Sequence, residues 1–372
     1  MAKRRSSSRP TISDVASLAG VGAITVSRAL REPHKVSPTL RKVIDEAIRR
    51  LNYVPDLNAR ALASKRSDVV AVLVPSLTQS VFSDVVRGIY DGLADSPLRI
   101  EVANTGYNPE IEEHLVSRIV RHQPAAIIVS GTDQSEATRQ MLENAGCPVI
   151  QIMDLCDNPI QQIIGFSHER AGYEMTRHLV LQGYQKVAFL TAWLSDRSSG
   201  RLKGYKRALE EAGIYDPSLV VQRGSTSTTP PPITEQGGKS FLSAQMGKEL
   251  MFEALERHPN LDAVFCNNDI LALGALFACQ SLNVEVPGRV GIAGFNDLDY
   301  MEAAHPPLSS VRIHRWRCGY KAMSAIRHRL DGGDIVETVV DIGFDIMERE
   351  STARSEIASQ SKAALSMAAS DR

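Results

Sequence analysis

The sequence predicts a small all-α domain followed by a larger α/β domain built from two doubly wound parallel sheets. Three observations lead there. Residues 11–51 place apolar side chains at helical spacing around a turn glycine. From residue 69 onward, short β-branched runs alternate with helical stretches. The charge divides at the same point. Residues 1–66 hold 14 Lys and Arg against 5 Asp and Glu, and the remainder holds 28 against 38, within a net charge of −1.

Residues 1–10, rich in Ser and Arg, read as a flexible basic arm. Thr11 with Asp14 three positions on forms a near-capping box, so the first helix should start there. Ala16 is small enough for a second helix to cross it closely. Gly20 can take the left-handed turn between the helices, and Val26 closes the core beneath them. Val15, Leu18, Ala19, Val21 and Leu30 complete the apolar face. Ser37 and Pro38 suit the start of a third helix, along which Leu40, Val43, Ile44, Ala47, Ile48 and Leu51 repeat at helical spacing. Asn52, Tyr53, Val54 and Pro55 stop it, and residues 56–66 form a short, marginal helical stretch. Two helices at this spacing read as a helix-turn-helix. A basic excess on that unit fits attraction to DNA phosphates, while the acidic body is repelled.

In the body, residues 69–74, 100–103, 126–129 and 149–152 read as buried parallel strands with helices near 82–93, 109–121 and 136–144. A second series begins near Ile163, with strands at 187–190, 219–221, 263–266 and 290–293. The chain is expected to return to the first lobe at 299–330 and to finish in the second at 339–347. Residues 224–238 form a long Ser/Thr/Pro/Gly loop, read as a surface insertion. Residues 351–372 are Ala/Ser-rich, lack a leucine heptad and read as a disordered tail. Five scattered cysteines without a C-x-x-C pair read as buried thiols, and His168, His305 and His314 are too dispersed for a metal site. Neither an export signal nor a ~20-residue apolar span is present, so a cytoplasmic, membrane-free chain is expected. The sequence lacks a dinucleotide-binding glycine motif after a strand, a nucleophile elbow, a P-loop and metal-spaced ligands. That argues against an enzyme and against any cofactor. A sugar-binding receptor without DNA regulation fits the body but not the basic reader.

Several strings resemble the lactose-repressor/galactose-repressor (LacI/GalR) family of bacterial transcription regulators. They are ISDVA at 12–16, AGV at 19–21, TVSR at 25–28, VS at 36–37, LNYVP at 51–55 and ARALA at 59–63. The resemblance implies a helix-turn-helix headpiece (11–55), a hinge helix and linker (56–67) and a two-lobed effector-binding and dimerisation domain (68–350) similar to periplasmic sugar-binding proteins. The first lobe would span about 68–166 and 299–328, the second about 167–296 and 331–350. It further implies a homodimer on a near-palindromic DNA operator, with affinity set by a small molecule bound between the lobes. The same mechanics serve an inducer or a corepressor.

On the DNA side, the resemblance points to Thr11, Ala23, Ile24, Thr25, Ser27, Arg28, Tyr53, Asn58, Ala59, Arg60 and Leu62. Arg28 can bond guanine with two teeth, and Ala23 and Ile24 can pack on thymine methyls. Thr25 and Ser27 suit phosphate, while Leu62 matches the family's minor-groove wedge with Arg60 beside it. On the effector side it points to Ser76, Thr78, Phe82, Asp154, Arg201, Asn268, Asp269 and Asn296. Arg201 opens RLKGY at 201–205 and matches the family's ligand-clamping arginine, suited to a carboxylate or a hydroxyl pair; a surface ion pair is its other reading. Asp154 is a sugar-hydroxyl acceptor or a turn residue. Phe82 is a stacking platform or core, and Asp269 a ligand contact or a helix cap. Asn296 stands where the family often has Asp, which favours an anionic ligand. VPSLT at 74–78, VFSDV at 81–85, QIMD at 151–154 and VFCNND at 264–269 look most like the gluconate-utilisation branch. That suggests a sugar acid such as gluconate or a ketogluconate, with a neutral sugar as the alternative.

Overall fold

The computed structural model describes residues 10–32, 35–54, 67–93, 96–192, 195–223 and 242–354. The expected arm (apart from Pro10), most of the hinge, the 224–238 loop and the chain beyond 354 lie outside the described residues. Two compact units divide at residue 67.

In the first unit, α1 (Ile12–Ala19), α2 (Ala23–Arg31) and α3 (Pro38–Leu51) enclose Val15, Ala16, Val26, Ala29, Ile44, Ala47 and Tyr53. The capping box is complete even with the shorter Asp. The Asp14 amide donates to Thr11 Oγ1 at 3.3 Å, and the Thr11 amide donates to Asp14 Oδ2 at 2.8 Å. Gly20 adopts φ +68° at the end of α1, as its position in the turn required. Three apolar positions depart from expectation. Leu18, Leu30 and Val43 are 47 %, 36 % and 45 % exposed, because each stands beside the inward stripe of its helix rather than in it.

The second unit begins with β1 (Val69–Val74), α4 (Ser80–Leu93), β2 (Arg99–Asn104), α5 (Pro109–Arg121), β3 (Ala126–Ser130), α6 (Glu136–Glu143), β4 (Val149–Ile152) and β5 (Gln162–Gly165). The chain then crosses to α7 (His168–Leu181), β6 (Val187–Thr191), α8 (Asp196–Glu211), β7 (Val220–Gln222), α9 (Ala244–Arg257), β8 (Ala263–Cys266), α10 (Asp269–Ser281) and β9 (Gly291–Asn296). It ends with α11 (Tyr300–Ala303), β10 (Ser309–Ile313), α12 (Arg315–Leu330), β11 (Val339–Asp341) and β12 (Phe344–Met347). The first sheet runs β11-β5-β4-β3-β1-β2 and the second β12-β10-β9-β8-β6-β7. β1, β3 and β4, covered on both faces, are almost wholly buried and mostly apolar, with Ser130 and Gln151 as their polar members, whereas β2 at the edge is half-exposed.

The pairing corrects three expectations. β5 lies beside β4 in the first sheet, inside the bounds expected for the first lobe, so the second strand series opens at β6 and not near Ile163. β10, within the segment assigned to the first lobe, pairs parallel with β9 in the second sheet, and only α12 returns to pack along α4. β11, within the segment assigned to the second lobe, pairs with β5, so the last crossing falls between 341 and 344. The sheets are also not wholly parallel, since β12 runs antiparallel to β10. Terminal strands of three or four residues carry too little pattern to reveal which sheet edge they extend.

Helices α4 and α12 approach through Gly319, where an added Cβ would lie 2.0 Å from the Val85 carbonyl oxygen. Gly319→Ala should therefore destabilise the protein by about 2 kcal/mol despite the better helix propensity of alanine, lowering the melting temperature by roughly 3–6 °C. A thermal melt in which the variant matches or exceeds the parent would contradict this close packing.

Candidate functional site

In the first unit, α2 presents one face outward. Ile24 is 77 % exposed and Arg28 is exposed, with Ala23, Thr25 and Ser27 half-buried beside them. Gly22 caps α2 without a side chain, so the first-turn amides keep no side-chain partner and can meet phosphate. These five predicted reading residues share one helix. Thr11 is engaged in the capping box, its hydroxyl also donating to Asp14 Oδ2 at 2.7 Å. Tyr53, also in the predicted DNA set, is 8 % exposed and packs in the three-helix core, because the chain leaving α3 folds back beneath it. Asn58, Ala59, Arg60 and Leu62 lie outside the described residues.

In the second unit, a polar cavity of about 60 Å³ opens between the two sheets. Gln79, Phe82, Tyr107 and Met153 line it from the first lobe. His168, Arg197, Ser198, Arg201, Asn267, Asn268 and Asn296 line it from the second. Most follow the C-terminal end of a strand, where parallel sheets gather their loops. Tyr107, Met153 and Asn296 all have positive φ (57°, 68° and 120°), backbone strain of the kind that collects at binding sites.

Arg201, on α8, is buried at the centre. Its Nε donates to His168 Nδ1 at 3.2 Å, its Nη1 to the Asn267 carbonyl, and its guanidinium lies 3.7 Å from the centre of the Phe295 ring. Burial, reinforced by neighbouring Arg197, pushes its pKa down to about 9. His168 is held well below its ordinary value by burial and by both arginines. It is therefore neutral, with Nε2 donating to the Met153 carbonyl at 3.1 Å while Nδ1 accepts from Arg201. Arg197, one helical turn before Arg201, donates from Nη2 to Ser130 Oγ at 3.1 Å across the cleft. Among the described residues, neither arginine makes an ion pair with a carboxylate.

The predicted effector residues divide. Phe82, Arg201, Asn268 and Asn296 reach the cavity, and Arg201 is no surface ion-pair partner. Asn268 also caps α10, accepting from the Leu271 amide at 3.1 Å. Ser76 and Thr78 do not line it. Ser76 Oγ instead accepts from the amides of Thr78 and Gln79, organising the entry to α4, and Thr78 is exposed. Asp154 stands behind the cavity, with Oδ1 accepting from the Leu155 amide at 2.8 Å and Oδ2 from Thr132 Oγ1 at 3.3 Å. Burial raises its pKa against the pull of Arg197. Asp269 does not cap α10 and is not among the residues lining the cavity. It is fully buried, accepting from Ser310 Oγ and the Leu298 amide, both at 2.7 Å.

Sequence reasoning missed Arg197, His168, Asn267 and Tyr107. Arg197 did leave a signal, since i and i+4 share a helix face. The cysteines are free, with four buried and Cys156 half-exposed. Among the described residues, no cluster of His, Cys, Asp or Glu could hold a metal, and no helix is long and apolar enough to cross a membrane.

A helix-turn-helix unit followed by a two-lobed domain with an interlobe cleft defines the LacI class of regulator. Family models match accordingly: "Bacterial regulatory proteins, lacI family" at residues 11–56, "Periplasmic binding proteins and sugar binding domain of LacI family" at 67–230 and "Periplasmic binding protein-like domain" at 176–352. The chain belongs to this family of DNA-binding transcriptional regulators. It is 36 % identical to the HTH-type transcriptional regulator GntR of Pseudomonas aeruginosa over 94 % of this chain and 97 % of that one. A crystal structure of a LacI-family regulator from Silicibacter pomeroyi superposes with a TM-score of 0.82 at 32 % identity, covering 93 % of this chain and all of that one. The transcription regulator GntR from Chromobacterium violaceum gives 0.70 at 34 %, covering 77 % of this chain and all of that one.

Burial raises the Asp269 pKa from 3.8 to about 6. Below about pH 3 the group is protonated folded and unfolded, so it carries no penalty. As pH rises to about 6 the unfolded chain releases its proton first, and stability falls by roughly 2–3 kcal/mol. Asp269→Asn should remove this fall, so the melting-temperature difference between variant and parent should grow from pH 4 to pH 6.5. A pH-independent difference would refute the assignment.

Proposed function

We infer that this chain is a homodimeric repressor of sugar-acid catabolic genes, whose affinity for a near-palindromic operator changes when a sugar acid occupies the interlobe cleft. The observation that carries the effector class is the pair of arginines lining one small polar cavity, neither in a direct ion pair among the described residues, although Glu112, Asp133 and Asp154 stand in the surroundings of Arg197. An anion there would pair directly with the guanidiniums, whereas a neutral sugar would leave the buried Arg201 beside a second cation. Asn296, where the family often has Asp, removes a competing negative charge in the same sense.

The DNA half of the reading rests on the outward face of α2. Arg28 would read a guanine edge, Ile24 and Ala23 would pack on methyl groups, and Thr25 and Ser27 would hold phosphate. Leu62, with Arg60, Asn58 and Ala59 beside it, would wedge the minor groove, as the family resemblance implies. Each wedge costs a few kcal/mol of unstacking, so two hinge segments supporting one another in a dimer are required. Effector binding that moves the first lobes relative to each other would separate those segments. A hundredfold change in operator affinity needs about 2.7 kcal/mol of coupling.

Two measurements test this. In a thermal-shift screen, gluconate or a ketogluconate should raise the melting temperature more than glucose does at equal concentration, and Arg201→Ala should abolish the shift. Stabilisation by neutral sugars alone would overturn the sugar-acid reading. On DNA selected from a random pool, Arg28→Ala should weaken binding by about 1–3 kcal/mol and relax preference at one base pair per half-site. Uniform weakening across all sequences would reassign Arg28 to phosphate.

A further inference from the structure

The two cleft arginines differ in what they still have to offer. A guanidinium grips a carboxylate with two parallel N–H bonds along one edge, either Nε with Nη2 or Nη1 with Nη2. In Arg201 both edges are broken into, since Nε is given to His168 and Nη1 to Asn267. In Arg197 the Nε is buried with no hydrogen-bond partner among the described residues. Its Nη2 donates one proton to the neutral hydroxyl of Ser130, its hydrogen-bond partner among the described residues, and carries a second. Arg197 therefore keeps Nε and one Nη2 proton to offer, and it lines the cavity together with Arg201.

Resting on the sugar-acid reading above, we propose that Arg197 is the specificity-determining residue of the cleft, taking the effector's carboxylate on its Nε–Nη2 edge while Arg201 holds hydroxyls. Three things support the division of labour. A buried donor left unpaired is unfavourable, and a carboxylate relieves that cost at Arg197, whereas Arg201 would have to surrender His168 or Asn267 first. The carboxylate would also relieve the mutual repulsion of the two guanidiniums, which already weakens proton binding at Arg201. Finally, Ser130 ends β3 in the first lobe while Arg197 stands on α8 in the second. An anion on this edge thus lies at the contact where the two lobes meet.

Isothermal titration of the full-length parent, Arg197→Gln and Arg201→Gln with gluconate and with glucose separates the possibilities. Arg197→Gln should weaken gluconate about 30-fold, equivalent to about 2 kcal/mol, and change glucose binding less than threefold, so the acid-over-neutral ratio collapses. Arg201→Gln should weaken both ligands alike. If Arg197→Gln fails to fold, Arg197→Lys, which keeps the charge but has no edge, should lose about tenfold for gluconate alone. An unchanged acid-over-neutral ratio in either Arg197 variant, beside a parent that prefers gluconate, overturns this assignment and leaves the sugar-acid reading standing. A parent that prefers glucose, or binds neither, overturns both.

Discussion

Positive charge held out of water between two lobes is the constraint around which this cleft is built. A buried guanidinium is tolerated only when every neighbour cooperates. Around Arg201 the cooperation is specific: a ring face in Phe295, a backbone carbonyl at Asn267 and an imidazole kept neutral so that its Nδ1 can accept. Two of the nearby acids are committed elsewhere, Asp154 to Leu155 and Thr132, Asp269 to Ser310 and Leu298, while Glu112 and Asp133 line a neighbouring cavity with Arg197. The cleft is thus electrostatically biased before any ligand arrives, and the bias comes from where the carboxylates are spent as much as from where the arginines stand.

Topology delivers these groups to one place. In each parallel sheet the strands end on the same side, so Met153 after β4, Arg197 after β6, Asn267 after β8 and Asn296 at the end of β9 converge without being neighbours in sequence. The chain crosses between the lobes three times, after β5, after β10 and after β11. Several strands joining two bodies restrict their relative motion to a hinge about the crossings, which suits a cleft that answers to occupancy by closing.

Much of this was legible in the residues. Thr11, Asp14, Gly20 and Ser37 are local signals whose meaning survives any tertiary context, and all four act as read. The buried strands announced themselves because long β-branched runs have few other uses. The illegible parts were those decided by distant partners. Nothing local tells Val339–Asp341 to join the first sheet and Phe344–Met347 the second. Asp269 and Asp154 carry side chains that suit a sugar, and only the positions of Ser310, Leu298 and Thr132 show that they are already satisfied. Tyr53 looks like a surface aromatic until the end of α3 turns it inward. Arg197 escaped because a lone arginine in a Ser-rich helix start resembles any solvated residue until its neighbour four positions on is known to be buried.

The corner at Asn296 and Asp297 shows how a ligand-facing residue can be tied to the rest of the body. Both residues have positive φ, 120° and 54°, a conformation that side chains resist. What holds them is a set of three arginines. Arg312 and Arg349 each bond the Asp297 carboxylate at 2.7 Å, and Arg315 donates to the Asn296 and Asp297 carbonyls. Arg315 opens α12 just beyond the second crossing, and its Nε also pairs with Asp84 of α4 at 2.9 Å. One guanidinium therefore joins the strained end of β9 in the second lobe to the outer helix of the first. A shift at Asn296 large enough to accommodate a ligand must either carry Arg315 with it or break a charge-assisted bond at Asp84, and a half-buried bond of that kind resists breaking more than a surface pair does. Such a linkage ties the cleft-facing corner of the second lobe to the helix layer of the first through a single side chain.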